Sequence, residues 1–446
     1  MGCKVSYVPL GELAEFESGG TPSKKIESYW DGSIPWISAK TLVGDTVYES
    51  DLTISKEGLE SGSKLASKGS LLLLTRGSGL FKRIPLAIAG IQVAYNQDIK
   101  CISANAKGIS NRYLFYALKA LEPAISAMLE TTGIGAGKLA TDRLKALPIP
   151  VLAEDARAKV TSFADCIYGK ISLNAKLNGY LLELAKARLS NLAYKENPLG
   201  MVSVGSFAAT MTNGSTPSRK KPDYWEGGSI PWVKTGEVNN NLLFKTNEHI
   251  TELALAETSV HLLPKNTVVM ALYGSGTAGR LAILQEKATT NQACTAMVCR
   301  TPSQAFYLFL TLQGMYREID SKTRGSVQQN LSKDIVASLM IPAVTEDLLD
   351  EIRLCDIYDQ VRANEYENLQ LASLRDALLP KLMSGEIDVS KIDPTQLNSH
   401  LLEIDVTLEV LDRCIEIAVR TVVCAHVWMV SQEMRNTLIE VSYELS

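Results

Sequence analysis

Apolar residues recur at helical spacing through the proline-free stretch Glu154 to Tyr194, at Val160, Phe163, Ile167, Ile171, Leu177, Leu181, Leu184 and Leu192, which places them on one face of an α-helix. A second stretch, Glu346 to Met383, carries Leu348, Ile352, Cys355, Tyr358, Val361, Leu371 and Leu378 at similar spacing, with Pro380 as its expected break. A helix of about 40 residues is roughly 60 Å long. Each stripe needs an apolar partner, and the simplest is the other stripe. Asn174 falls on the first stripe, where a polar residue can fix register.

Ahead of each long stripe the pattern is different. Leu71–Leu74 and Val268–Leu272 are short apolar runs that read as buried strands. Gly- and Pro-rich turns surround them. Helices are expected after Ser110 ("NRYLFYALKAL") and Ser303 ("QAFYLFLTLQGMY"), serine being a good N-cap. Smaller helices begin near Thr141 and Ser332, and Pro148, Pro150 and Pro342 close the two stretches.

The two halves match in order. "TPSKKIESYWDGSIPWI" (Thr21–Ile37) returns as "TPSRKKPDYWEGGSIPWV" (Thr216–Val233), with eleven of seventeen positions identical and Gly228 inserted. "LTRGSG" (Leu74–Gly79) corresponds to "LYGSG" (Leu272–Gly276), and "YNQD" (Tyr95–Asp98) to "TNQA" (Thr290–Ala293). "GKLATDRLKALPIPVLAED" (Gly137–Asp155) corresponds to "QNLSKDIVASLMIPAVTED" (Gln329–Asp347). An ordered series of this length is a duplication. Such a chain can fold about a pseudo-twofold axis, with antiparallel helices and a globular unit at each end, an arrangement suited to two separated segments of one linear polymer.

These features resemble the specificity subunit of type I restriction–modification systems. The doubled "TPSxxxxxYWxGxIPW" block carries the resemblance, together with the "GSG" and "NQ" segments, the "IPV"/"IPA" close before each long helix, and "SLRDALLPKLMSGEIDV" (Ser373–Val389). The resemblance implies an α+β fold: two repeated globular target-recognition domains joined by two long, antiparallel coiled-coil-like helices. The expected divisions are 1–150 and 200–342 for the domains, 151–199 and 343–390 for the spacer helices. An apolar, helix-periodic extension, 391–446, departs from the family pattern. In that family each domain reads one half of a split DNA target. The helices set the gap and dock modification subunits, expected to be two, which methylate adenine N6 with S-adenosylmethionine; a separate motor subunit adds restriction. The chain itself is then expected to bind no cofactor and to catalyse nothing.

Composition limits how DNA could be gripped. The net charge is −4, with 21% charged and 46% apolar residues, so a nucleic-acid face must be local. Lys24 and Lys25 recur as Arg219, Lys220 and Lys221 on matching loops, candidates for phosphate contacts. Arg76, Lys82 and Arg83 in one "GSG" loop stand against Tyr273 and Arg280 in the other, the variation expected of readers of different half-sites. Lys138 in "TGIGAGKLA" stands against Gln328, Gln329 and Asn330. That string is not a nucleotide-binding phosphate loop, because Lys138 comes one place early and Leu139 follows it. Trp30, Trp36, Trp225 and Trp232 could stack on bases, but their place in the most strictly repeated block favours packing. The residues expected in the spacer seam are Val160, Ile167, Ile171, Leu177, Leu181, Leu184, Ile352, Cys355, Val361 and Leu371.

Eight cysteines without CxxC pairs and four histidines give no metal-ligand spacing; free thiols in a reducing cytosol are expected. "MGCKVS" fits the short myristoylation pattern, but one lipid chain anchors only marginally. No secretory signal and no membrane span is read, so a cytoplasmic location is expected. No methyltransferase tetrapeptide of the NPPY or DPPY kind occurs, and no nucleophile elbow. The rival reading is a two-headed, non-catalytic scaffold for protein or glycan partners.

Overall fold

The computed structural model describes residues 5–133, 135–194, 199–274, 276–324 and 331–389. Gln328, Gln329, Asn330 and the extension 391–446 lie outside the described residues. The described residues divide into two compact units, one formed by those up to Lys170 together with residues 371–389, the other by those within Ile171–Gln370. Both divisions fall inside the long helices, so each unit holds one globular head and a portion of each helix.

The first head is built on a five-stranded sheet in the order Ala14–Ser18, Ile99–Ala104, Leu71–Leu74, Leu86–Ala89, Thr46–Val47. Leu71–Leu74 is buried at every position, as an uninterrupted apolar run must be when both faces of its strand are covered. The second head repeats that order with Thr210–Asn213, Cys294–Val298, Val268–Ala271, Leu281–Leu284 and Asn241–Leu243. In both heads the last strand pairs parallel with its neighbour and the remaining pairs are antiparallel. A smaller sheet joins each repeated block to its "NQ" segment through a parallel pair, Ile34–Ile37 with Val93–Tyr95 and Ile230–Val233 with Thr289–Thr290.

Each head starts and closes on neighbouring strands. Val5–Pro9 pairs antiparallel with Pro148–Leu152, and Met201–Ser203 with Met340–Pro342. One tyrosine in each head secures this closure: the Tyr113 hydroxyl donates to the Pro150 carbonyl at 2.7 Å, and the Tyr307 hydroxyl to the Pro342 carbonyl at 2.6 Å. Both rings are buried, so the hydroxyls need these acceptors.

Helix starts follow local capping chemistry. Ser110 accepts from the Tyr113 N–H and starts Asn111–Ala120; Ser332 accepts from the Ile335 N–H and starts Lys333–Ala337. The helix expected after Ser303 begins earlier, at Pro302, because Thr301 caps it by accepting from the Gln304 N–H. Proline at the first position suits that start, since its missing N–H would be unpaired there anyway, and Ser303 is buried within the helix.

The first long helix runs unbroken from Glu154 to Tyr194. The second does not match its expectation: it is divided into Glu346–Glu351 and Leu354–Met383, and Pro380 lies inside the later piece instead of ending it. The break is at Arg353, whose φ of 53° leaves the helical region. Arg188 Nη1 donates 2.7 Å to the Ile352 carbonyl at that break, satisfying an acceptor that the interruption leaves without an intrahelical partner. The interruption also shifts the buried phase. Leu354, Ile357, Tyr358 and Val361 are buried, whereas the expected seam residues Ile352 and Cys355 are half-buried.

Within the second unit the two helices pair antiparallel. Asn174 contacts Glu367 and Asn368, Asn178 contacts Glu365, and Arg188 contacts Ile352. Leu181 and Leu184 pack into the same core as Val361 and Leu354. Toward the middle of the seam burial becomes polar: Asn174, Asn178 and Asn364 are all buried. Asn364 Nδ2 donates to Asn178 Oδ1 at 2.7 Å, and Asn178 Nδ2 to Glu365 Oε1 at 2.9 Å. In the first unit Val160 and Ile167 are buried, as are Leu379 and Leu382, and Arg375 lies 5.0 Å from the Tyr168 ring centroid. Ile171, Leu177 and Leu371 are half-buried.

Candidate nucleic-acid interface

The repeated block forms the same scaffold in both heads. Trp30 and Trp36 meet edge to face at 5.0 Å, as do Trp225 and Trp232. Their indole N–H groups donate to backbone carbonyls, Trp36 to Gly20 and Trp232 to Ser215, while Trp30 and Trp225 donate to Ser23 and Ser218. With Trp36 and Trp232 buried, this is packing, and neither inner indole presents a face for a base. The "NQ" segment closes on the same block: Thr21 Oγ1 bonds Gln97 Oε1 at 2.5 Å, and Thr216 bonds Gln292 in the second head.

Cations on this scaffold are deployed differently in the two heads. Lys24 and Lys25 are exposed on a turn. Arg219, by contrast, lies 3.6 Å from the Trp225 centroid and 2.5 Å from Glu248 Oε2. Lys234 also reaches Glu248, and its hydrogen bond, followed by that of Arg219, holds the Glu248 carboxyl below the usual range. Lys221 pairs with Glu257 at 2.6 Å, and this bond and that from Tyr224 lower the Glu257 carboxyl in the same way. Lys220 is exposed, with no ion pair among the described residues. Lys221 also lies 4.3 Å from the Tyr224 ring centroid, so Arg219 and Lys221 are alike held by a ring and a carboxylate, and an exposed pair of this kind can exchange its carboxylate for another anion.

The "GSG" loops turn on glycine in both heads, with Gly77 at φ 144°, Gly274 at 104° and Gly276 at 73°, values that side chains disfavour. In the first head Arg76 pairs across strands with Lys138, and Lys138 with Glu130, in a three-stranded ribbon of Glu130–Thr131, Gly137–Lys138 and Arg76–Gly77. The two loops singled out in the sequence are thus one element. Lys82 and Arg83 are exposed at the end of the adjoining turn. In the second head Tyr273 is exposed, and Arg280 Nη1 donates to Asn239 Oδ1 at 2.9 Å.

The family model described as "Type I restriction modification DNA specificity domain" matches residues 4–178 and 199–348. The chain belongs to this specificity family. Among curated relatives it is 24% identical over 412 residues to the type I restriction enzyme MjaIX specificity subunit of Methanocaldococcus jannaschii, covering 86% of this chain and 93% of that one. It is 30% identical over 164 residues to the EcoR124I/EcoR124II specificity subunit of Escherichia coli, covering 36% and 40%. The fold is similar to that of the crystal structure of the type I restriction–modification S subunit from M. genitalium, with a TM-score of 0.50, 14% identity, and coverage of 85% and 96%.

Among the described residues of this specificity-family chain, five cysteines are free thiols, Cys101 and Cys294 buried and Cys166, Cys299 and Cys355 half-buried. Burial pushes the Cys294 and Cys299 thiols up to about 12, which makes them poor nucleophiles. No helix among the described residues is long and apolar enough to cross a membrane. Sequence reasoning missed Glu130 and Arg143, which pair at 3.4 Å beside the ribbon: Glu130 lies outside the repeated strings, and Arg143, inside one, stands where the second copy has the uncharged Ile335. It also missed Asn178, although that residue stands one helical turn beyond Asn174 on the same stripe.

Proposed function

We propose that this chain is the DNA-recognition subunit of a type I restriction–modification complex, each head gripping one half of a bipartite target. One observation carries the reading: a single sheet order and tryptophan scaffold is built twice, while the exposed loops on it differ in charge and side chain. Common scaffolds would supply phosphate contacts through Lys24, Lys25, Lys220 and Lys221, which position without specifying. The differing loops would supply base contacts, Arg76 and Lys138 in the first head and Tyr273 and Arg280 in the second. Arginine and lysine suit guanine O6 and N7.

The chain itself supplies no catalytic group in this reading. Modification subunits, two of them, bring S-adenosylmethionine and methylate adenines that must leave the base stack to react. A restriction motor can join the same assembly. The long helices set the gap between the two tracts.

Salt dependence tests the reading. A complex that neutralises about six phosphates should lose about 1,000-fold in duplex affinity between 50 and 200 mM salt. Titration of target duplex with the chain and its modification partners measures this. A flat dependence would favour the scaffold reading instead.

A further inference from the structure

The three-stranded ribbon of the first head has two unlike faces. Gly77 and Gly137 are cross-strand partners on one of them. A side chain on Gly137 would come within 3.1 Å of the Leu80 Cβ and 3.5 Å of the Phe81 ring, so the short turn Ser78–Phe81 covers this glycine face. The opposite face carries Arg76, Lys138 and Glu130 in successive strands. At about 4.8 Å between strands these three side chains span roughly 10 Å.

The composition of that face is unusual for a structural ribbon. Arg76 and Lys138 stand directly opposite each other, a like-charge pairing that destabilises a sheet. Neither has an ion pair among the described residues, and such a face suits an anionic partner. Glu130 is the one acid in the ribbon. Its carboxylate is exposed, and its partner Arg143 belongs to the neighbouring helix Thr141–Lys145. On a surface that meets phosphates a carboxylate is unfavourable unless it is satisfied by a donor on the ligand. In the major groove cytosine offers such a donor, the N4 amino group. Guanine O6 and N7 and thymine O4 are acceptors, which a carboxylate repels, and adenine sets the acceptor N7 beside its own N6 amino donor, which disfavours a carboxylate there as well.

We propose that Glu130 is a specificity-determining residue of the first head, accepting a hydrogen bond from a cytosine N4 amino group in the major groove while Arg76 and Lys138 bind adjacent guanine edges. The inference rests on the DNA-recognition reading above. On binding, Glu130 exchanges the exposed Arg143 for the base, while Arg143 keeps its 3.1 Å bond to the Met128 carbonyl.

The test is a base-resolution map of sites methylated by the full complex carrying wild-type chain, Glu130→Gln, Glu130→Ala, Arg143→Gln or Arg76→Ala. Arg76→Ala identifies the half-site read by the first head. In that half, Glu130→Ala should relax one cytosine position by about tenfold. Glu130→Gln should admit adenine there, because an amide pairs with adenine N6 and N7. The other half, the gap and the melting temperature should not change, and Arg143→Gln should keep every letter. Unchanged letters in both Glu130 variants would overturn the proposal. So would an equal loss at all positions with lowered melting, which would mark Glu130 as a fold residue. A wild-type complex with no fixed target would remove the underlying reading, and this inference with it.

Discussion

Replacing Gly214 by alanine should destabilise the second unit by about 3 kcal/mol or more, and Gly19→Ala should do the same to the first. A Cβ on Gly214 would stand 2.2 Å from the carbonyl oxygens of both Thr290 and Asn291. On Gly19 it would stand 2.2 Å from the Tyr95 carbonyl oxygen and 2.4 Å from that of Asn96. These are equivalent atoms in the two "NQ" segments, and all belong to backbone, so no side chain can swing away to make room. The close approach is what lets Gly20 donate to Tyr95 and Ser215 to Thr290, each at 2.9 Å, bonds that attach each tryptophan block to its sheet. Gly169 is the control, since it lies in the first long helix with open space where its Cβ would be. Gly169→Ala should stabilise by about 0.5–1 kcal/mol. Denaturant unfolding of the four proteins reads these differences, and a Gly214→Ala chain as stable as wild type would contradict the account.

Asn178→Leu should cost about 2 kcal/mol, and adding Asn364→Leu should recover much of it while loosening the helix register. The single change leaves the Asn364 amide and the Glu365 carboxylate short of a partner in the seam, and an unsatisfied buried polar group costs about 1–3 kcal/mol. The double change replaces two facing amides by two facing apolar side chains, which removes most of that penalty. It also removes the directional bonds that distinguish one alignment of the helices from a neighbouring one. Stability should therefore recover while the register becomes less defined. Spin labels placed on the two helices within the second unit would detect this: one narrow distance distribution in wild type, a broadened one in the double variant. A single variant as stable as wild type would contradict it, as would a double variant with an unchanged distribution.

Legibility in the sequence varied with how local the deciding interaction is. The duplication, the buried Leu71–Leu74 strand and the uninterrupted first helix are written in contiguous residues. The break in the second helix is not, because Arg353 adopts its positive φ without a glycine or proline nearby, and Arg188, 164 positions before Ile352, bonds the freed Ile352 carbonyl. That break moves the buried phase onto Leu354 and Ile357, and it brings Asn364 into the seam at a position the simple stripe skips. The site follows the same rule. Loop cations could be identified by type and repetition, but their partners could not. Nothing local distinguishes Arg219, held between Trp225 and Glu248, from the exposed Lys220 beside it. The union of Arg76 with Lys138 in one ribbon needed the fold, since 62 positions separate them.

Two like heads should read two tracts of one duplex. Sequencing the adenine methylation laid down by the assembled complex tests it most directly. The expected target is two short fixed tracts separated by a constant number of indifferent base pairs, whereas a single uninterrupted tract, or methylation without sequence preference, would rule out the two-headed reading.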